Sequence, residues 1–273
     1  MSLPLKPAKR LGQNFLRHVP TLERICAAAK LDGSDDVIEI GPGYGTLTRA
    51  LLKNCKTLLS LEKDTRLVEI FPEDIKADER FTLVPGDVMK TGLERFYSGR
   101  PLKLVSNLPY GISSGVLRLL AESRGIFSVA VVMLQKEVAL RLAASPGGKS
   151  YGALTANFQM TFDVEKLFDV SPELFTPRPA VTSSVVRLTP LEKTRFALKS
   201  ERFYAKTVRA AFSGRRKMIR NSLLSVFPRL EVEDALKAAG VDGERRAETV
   251  GLEEFSLVSD RLFETAGRRD ENL

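Results

Sequence analysis

A glycine-rich turn, two spaced acids and an Asn-Leu-Pro-Tyr tetrapeptide are the residues of this 273-residue chain whose types and spacing could do chemistry. Gly41, Gly43 and Gly45 lie in Glu39-Ile-Gly-Pro-Gly-Tyr-Gly-Thr46, directly after an apolar run and before a helical pattern. Glycine tolerates positive φ and lets a ligand approach the backbone, and the helix start beyond it offers unpaired N–H groups. A dinucleotide-binding turn needs its third glycine three residues after the second, and Thr46 holds that place here. The turn therefore suits a ligand with no pyrophosphate to anchor. Glu62 follows 21 residues after Gly41, close to the ~20-residue spacing at which an acid accepts hydrogen bonds from both ribose hydroxyls. Asp87 and Val88 stand just past the next apolar run, where a carboxylate could accept the exocyclic amine of an adenine. Asn107-Leu108-Pro109-Tyr110 ends the fourth run. The Asn107 side-chain carbonyl and the Leu108 backbone carbonyl, made available by Pro109, offer two acceptors for an exocyclic amine, and Tyr110 offers a ring to stack on a flipped base. Taken singly, the glycine turn also reads as a tight strand-to-helix connection, Glu62 as a solvated acid and Asp87 as a turn residue. Their succession at consecutive strand ends is what points to one crevice.

Positioning them requires a sheet. Continuous Val/Ile/Leu runs at 37–40, 57–61, 81–84, 102–106 and 129–134 read as buried parallel strands, with helices between them at 46–53, 65–71, 113–121 and 136–144. Apolar runs near 158–170 and 183–188 complete it. The predicted fold class is α/β, a seven-stranded, mostly parallel, Rossmann-like domain over residues 1–190. Residues 19–30 read as one amphipathic helix behind an arm, 1–18, that carries Lys6, Lys9, Arg10 and Arg17 and no acid. Beyond residue 190 strand patterns give way to Phe203, Val208, Ala211, Phe212, Leu223, Leu224, Leu236 and Leu252 at helical spacings, which predicts a small helical domain over 191–273.

The composition narrows the partners. Forty-two Lys and Arg against 34 Asp and Glu give a formal charge of +8, and 43% apolar residues are enough for an ample core without covalent staples. Cys26 and Cys55 lie far from each other and from the single histidine, His18, so neither a disulfide framework nor a Cys/His metal site is expected. The most apolar run, 126–134, is far short of the ~20 residues that span a bilayer, and the first residues lack the apolar stretch of a signal peptide. A cytoplasmic monomer with no membrane contact is expected. Between Arg195 and Arg229 ten basic residues face one acid, Glu201. Such clustering, with Arg215, Arg216, Lys217 and Arg220 at its centre, suits the phosphates of RNA.

G-x-G-x-G behind an acid-ended strand resembles the cofactor turn of S-adenosylmethionine (SAM) methyltransferases. An adenine N6 amine is a poor nucleophile, because its lone pair is delocalised into the ring, so methylating it calls for acceptors of the kind Asn107 and Leu108 supply. With Arg10-Leu-Gly-Gln-Asn-Phe-Leu16, Met133-Leu-Gln-Lys-Glu137, Ser150-Tyr-Gly152, Phe175-Thr-Pro-Arg-Pro179, Ser184-Val-Val-Arg-Leu188 and Arg215-Arg-Lys-Met-Ile-Arg-Asn-Ser222, nearly the whole chain resembles the KsgA-type family of ribosomal RNA small-subunit adenine N6-dimethyltransferases. The resemblance implies SAM as cofactor, closed over by Gln13, Asn14 and Leu16 and lined by Gly41, Gly43, Gly45, Glu62, Asp87, Val88 and Asn107, with Phe175 completing the target-base pocket opposite Tyr110. It implies transfer of two methyl groups to N6 of each of two adjacent adenosines near the 3′ end of small-subunit rRNA, within the 30S subunit or its precursor. The chain departs from the family at His18, where Asp is usual, and at Ala180, where Lys is usual. Three other readings stand beside this one: a non-enzymatic ribosome-assembly or nucleic-acid-binding factor on the same fold, a large-subunit rRNA methyltransferase of the macrolide-resistance type, and a nicotinamide-dependent oxidoreductase, the last disfavoured by the glycine spacing.

Overall fold

The computed structural model describes residues 4–8, 12–214 and 216–270, with side chains up to 266. It divides the chain into two compact units, one of Met1–Ala139 with Val164–Pro190 and the other of Leu140–Asp163 with Leu191–Leu273. The change at residue 190 falls where the strand patterns end. Residues 140–163, expected within the first domain, belong instead to the helical unit.

Seven strands form one sheet: β1 (Asp36–Ile40), β2 (Thr57–Glu62), β3 (Phe81–Pro85), β4 (Leu102–Asn107), β5 (Phe127–Gln135), β6 (Phe162–Val170) and β7 (Ser183–Pro190). Their order is β3-β2-β1-β4-β5-β7-β6. The first five are mutually parallel and β7 runs antiparallel to β5. The chain steps outward from β1 to β3 and returns to the other side of β1 with β4, so the sheet reverses direction between β1 and β4. In an open α/β sheet that switch point, at the strand C-termini, is where a crevice forms. The central strands β1, β4 and β5 read as apolar runs because both their faces are covered, whereas the edge strands β3 and β6 are part-exposed. Val37, Leu58, Val105, Val131, Met133 and Val185 pack with Leu22, Ile25 and Cys26 of the helix Val19–Ala28 in one core, and each such aliphatic side chain contributes about 1.5–3 kcal/mol on burial. Both cysteines are buried, and burial pushes the Cys26 thiol up to about 12 and the Cys55 thiol up to about 11.

One expected strand is shortened. Residues 153–161 form a helix, and β6 begins only at Phe162. Ala156 and Met160 of this helix pack against Tyr204, Val208, Leu223, Leu236 and Phe255 in the core of the helical unit. Phe158, Met160 and Phe162 alternate with Asn157, Gln159 and Thr161, a strand-like period with no glycine or proline to mark where the helix ends. The rest of that unit is built from helices Glu201–Ala211, Ile219–Leu223, Arg229–Ala238 and Leu252–Asp270. The basic segment also looks different in three dimensions. Arg195 pairs with Asp163 and Lys199 with Glu264, acids distant in sequence, and Arg229 with Glu233 one helical turn on, so acids outside the segment neutralise part of the excess. Among the described residues no helix is long and apolar enough to cross a membrane.

Candidate active site

The turn after β1 enters the crevice with three left-handed glycines, Gly41 at φ 72°, Gly43 at 59° and Gly45 at 74°. Gly41 N donates to Leu61 O at 2.8 Å, which ties the turn to the end of β2. A Cβ on Gly43 would lie 2.9 Å from two ring carbons of Phe15, so only glycine lets the arm lie against this turn. Glu62, 6% exposed at the end of β2, accepts the N–H of Gly43 at 3.2 Å and that of Asp64 at 2.8 Å. Burial raises its pKa above the ordinary carboxylate range. A carboxylate has about four lone-pair positions, so capacity to accept further donors remains. Beneath the turn, Glu39 is fully enclosed and accepts Thr48 Oγ1 at 2.8 Å and Ser60 Oγ at 2.7 Å, and desolvation pushes it up to about 7. Asp87, at the end of β3, caps the short helix Val88–Thr91 by accepting Met89 N at 3.0 Å. Its other oxygen meets Lys63 Nζ at 2.7 Å, and that hydrogen bond holds the carboxyl below its usual range.

The arm crosses this crevice and is held by side chains from four places. Gln13 Nε2 donates to Asp64 at 2.9 Å while its carbonyl accepts Ala8 N at 2.8 Å. Arg66 also bonds Asp64, which is thereby pulled down to about 2. Phe15 meets the Tyr44 ring edge-on at 4.6 Å, and Leu16 O accepts Thr46 Oγ1 at 3.0 Å. The arm then pairs with Phe175–Thr176 in a two-stranded ladder, Leu16 opposite Phe175.

At the end of β4, Asn107 Nδ2 donates to Asn14 O at 3.3 Å. This contact turns the amide so that its carbonyl oxygen is the end left to accept. Leu108 N bonds Met133 O at 3.3 Å on β5, and the Pro109 ring lies 3.4 Å from the Cβ position of Gly41. Tyr110 opens a 3₁₀ turn to Ile112, and its hydroxyl lies 2.6 Å from Ser183 Oγ.

One cleft is lined by Gln13, Asn14, Leu16, Gly41, Gly43, Glu62, Asp87, Val88, Asn107, Leu108, Pro109 and Tyr110, so these expected site residues come together. Gly45 does not line it; its Cβ position meets Ile75 and Phe71, and it shapes the helix start instead. Phe175 departs from expectation. It is 4% exposed, packs in the core with Leu16, and is not among the cleft's lining residues. Its strand pairing places it opposite Leu16, which does line the cleft. His18 Nδ1 lies 2.9 Å from Thr21 Oγ1 at the start of helix Val19–Ala28, a local role that accounts for a polar residue there, and Ala180 is exposed. In the helical unit Arg216, Lys217 and Arg220 are exposed and in no ion pair among the described residues; Arg215, like Lys9 and Arg10, lies outside them. Sequence reasoning missed Asp64, Lys63, Phe15, Tyr44 and Ser183. Asp64 and Lys63 adjoin Glu62 and were legible only as charged neighbours, whereas Ser183 carried no signal.

The family described as ribosomal RNA adenine dimethylase matches residues 5–264. The chain belongs to the ribosomal RNA adenine dimethylase family. Its activity is accordingly SAM-dependent methylation of adenine in rRNA. Ribosomal RNA small subunit methyltransferase A of Desulforapulum autotrophicum is 40% identical over 272 residues, covering 97% of this chain and 95% of that one. A dimethyladenosine transferase from Plasmodium falciparum superposes with a TM-score of 0.79 at 26% identity, over 94% of this chain and 98% of that one. The 23S rRNA methyltransferase ErmE superposes with a TM-score of 0.72 at 29% identity, over 91% and 99%. The Rossmann-like fold is thus that of the adenine dimethylases. The cleft fits their cofactor: buried and half-buried carboxylates suit a cation with ribose and adenine donors, and the left-handed glycines leave backbone open to it.

Proposed function

We propose that this dimethylase acts on two adjacent adenosines near the 3′ end of 16S rRNA, within the 30S subunit or its precursor in the cytoplasm, placing two methyl groups on each N6. The observation that supports the chemistry is the Asn107 amide, whose nitrogen donates to Asn14 O and whose oxygen is the end left to accept. When bound, SAM supplies an electrophilic methyl group on a sulfonium. Glu62 accepts the ribose hydroxyls and Asp87, with Val88 beside it, the cofactor adenine; Gln13, Asn14 and Leu16 close over them. The target adenine stacks on Tyr110, and its N6–H bonds go to Asn107 Oδ1 and the Leu108 carbonyl. Holding both hydrogens in that direction pyramidalises N6 and frees its lone pair for in-line attack, a positioning effect rather than base catalysis. The alkylated nitrogen is far more acidic than the amine before it, so its proton passes to solvent water without a strong base. The free cations Arg216, Lys217 and Arg220, with Arg215, bind rRNA phosphates.

The small-subunit assignment rests on the near full-length match to a protein of that name and on the Arg215–Ser222 run. Tritiated SAM with purified 30S and 50S subunits lacking these modifications, followed by nucleoside analysis and mapping, tests it. The expected product is N6,N6-dimethyladenosine at two neighbouring positions of 16S rRNA. Label confined to 23S rRNA would transfer the enzyme to the large subunit, and no label in either would favour a binding factor.

A further inference from the structure

We infer that Ser183 is a positioning residue for the target-base platform: its hydroxyl anchors the tip of the Tyr110 ring and thereby governs how readily the enzyme passes from the first methyl group to the second. The inference rests on the reading of Tyr110 as the stacking surface for adenine. Stacking alone needs only the ring, and phenylalanine would serve. In this chain the ring carries a hydroxyl, and that hydroxyl meets Ser183 Oγ at 2.6 Å across 73 residues of sequence. Ser183 is 0% exposed and is the first residue of β7, opposite Gln135 of β5. The strand entry is itself fixed, because Lys136 N donates to Thr182 O at 2.9 Å. At the other end of the side chain, Ser113 Oγ donates to Tyr110 O at 3.1 Å. Backbone and phenol tip are therefore both tied to regular structure, and the two side-chain torsions that would let the ring swing are held between them. Burial raises the phenol pKa, which keeps the O–H in place as a hydrogen-bonding group.

The second methyl transfer depends on this tether more than the first. An unmodified N6 presents two N–H bonds to the acceptors at Asn107 and Leu108. After one methylation a single N–H remains, the amine must rotate its new methyl group aside, and stacking bears a larger share of holding the base. A ring free to tilt then costs alignment at the step with fewest other restraints.

Single-turnover time courses on 30S subunits, counting mono- and dimethyladenosine separately, test this with Ser183→Ala, Tyr110→Phe and the double variant. Each single variant should slow the second methylation by about two- to tenfold, the value of one hydrogen bond. Monomethyladenosine should accumulate, the first step should change less than the second, and in Ser183→Ala the KM for SAM should stay at the wild-type value. The double variant should be no worse than either single one, since both remove the same bond. Tyr110→Phe removes no carbon from the half-buried ring and so reads the tether even if Ser183→Ala unfolds. Wild-type product ratios in folded variants, or additive effects in the double variant, would overturn the role of Ser183 while leaving the methylation itself intact. A wild-type protein that makes no dimethyladenosine on 30S subunits would overturn the substrate reading and this inference together.

Discussion

Replacing Glu62 by alanine and by glutamine are two different experiments, because its carboxylate already serves two backbone donors, Gly43 N at 3.2 Å and Asp64 N at 2.8 Å. In Glu62→Ala both N–H groups lose their partner in a nearly dry site, at about 1–3 kcal/mol each, and the glycine turn loosens before any cofactor is added. Glu62→Gln keeps the side-chain shape and one carbonyl oxygen, so only one donor is orphaned. For the ligand, a charge-assisted hydrogen bond is worth about 1.5–3 kcal/mol and a neutral one about 0.5–1.5. SAM affinity should therefore fall about tenfold in Glu62→Gln and up to about a hundredfold in Glu62→Ala. Titration calorimetry gives the affinities, and urea unfolding without ligand gives the stabilities. Because burial raises the Glu62 pKa, wild-type affinity should rise with pH as the carboxyl ionises, and the glutamine variant should lose this dependence. Wild-type SAM binding by a folded Glu62→Ala protein would remove Glu62 from the cofactor site.

Asn107→Ala should lose most turnover, by about 10²–10³-fold, with SAM affinity little changed, and Tyr110→Ala should weaken base stacking by about 1–3 kcal/mol; dimethyladenosine yields from folded proteins check both. Combining Arg216→Ala with Lys217→Ala should weaken 30S binding and flatten its dependence on log salt by about one to two, and an unchanged slope would reassign these cations to solvent. Glu39 titrates at about 7 in the fold against an ordinary 4.5, so its neutral form favours folding: that contribution is full below 4.5 and is lost as pH rises through 7. The loss is about 3 kcal/mol, and denaturant unfolding of Glu39→Gln between pH 5 and 8 should show a flatter profile than wild type.

The sheet was legible because its central strands are buried on both faces and so stand out as apolar runs, and the turn was legible because glycine is the residue for φ near +60°. What escaped were relations between distant segments. Phe175 carries an aromatic signal, but its pairing with Leu16 and its burial in the core cluster could not be read from the sequence. The helix at 153–161 escaped because Phe158, Met160, Phe162 and Val164 alternate with polar residues straight into β6, a period that suits a strand. Local charge counts likewise overlooked Glu264, 65 residues from the Lys199 it neutralises. Ser183 is one of two serines that open β7, and only the register with Gln135 gives it a place beside Tyr110.

The excursion of residues 140–163 into the helical unit has a temporal side. On the ribosome, β1 to β5 emerge first, and then comes the helix Ala153–Thr161, whose apolar partners at Tyr204, Val208, Leu236 and Leu262 have not yet been made. About 100 residues separate Thr161 from Leu262, so at roughly 5–20 residues per second that helix waits on the order of 5–20 s for its complete core. The sheet meanwhile gains β6 and β7 and can close without it. A nascent chain of this enzyme therefore carries a finished methyl-transfer scaffold and an unsatisfied hydrophobic helix at the same moment, and a fragment ending at residue 190 would keep that helix exposed permanently.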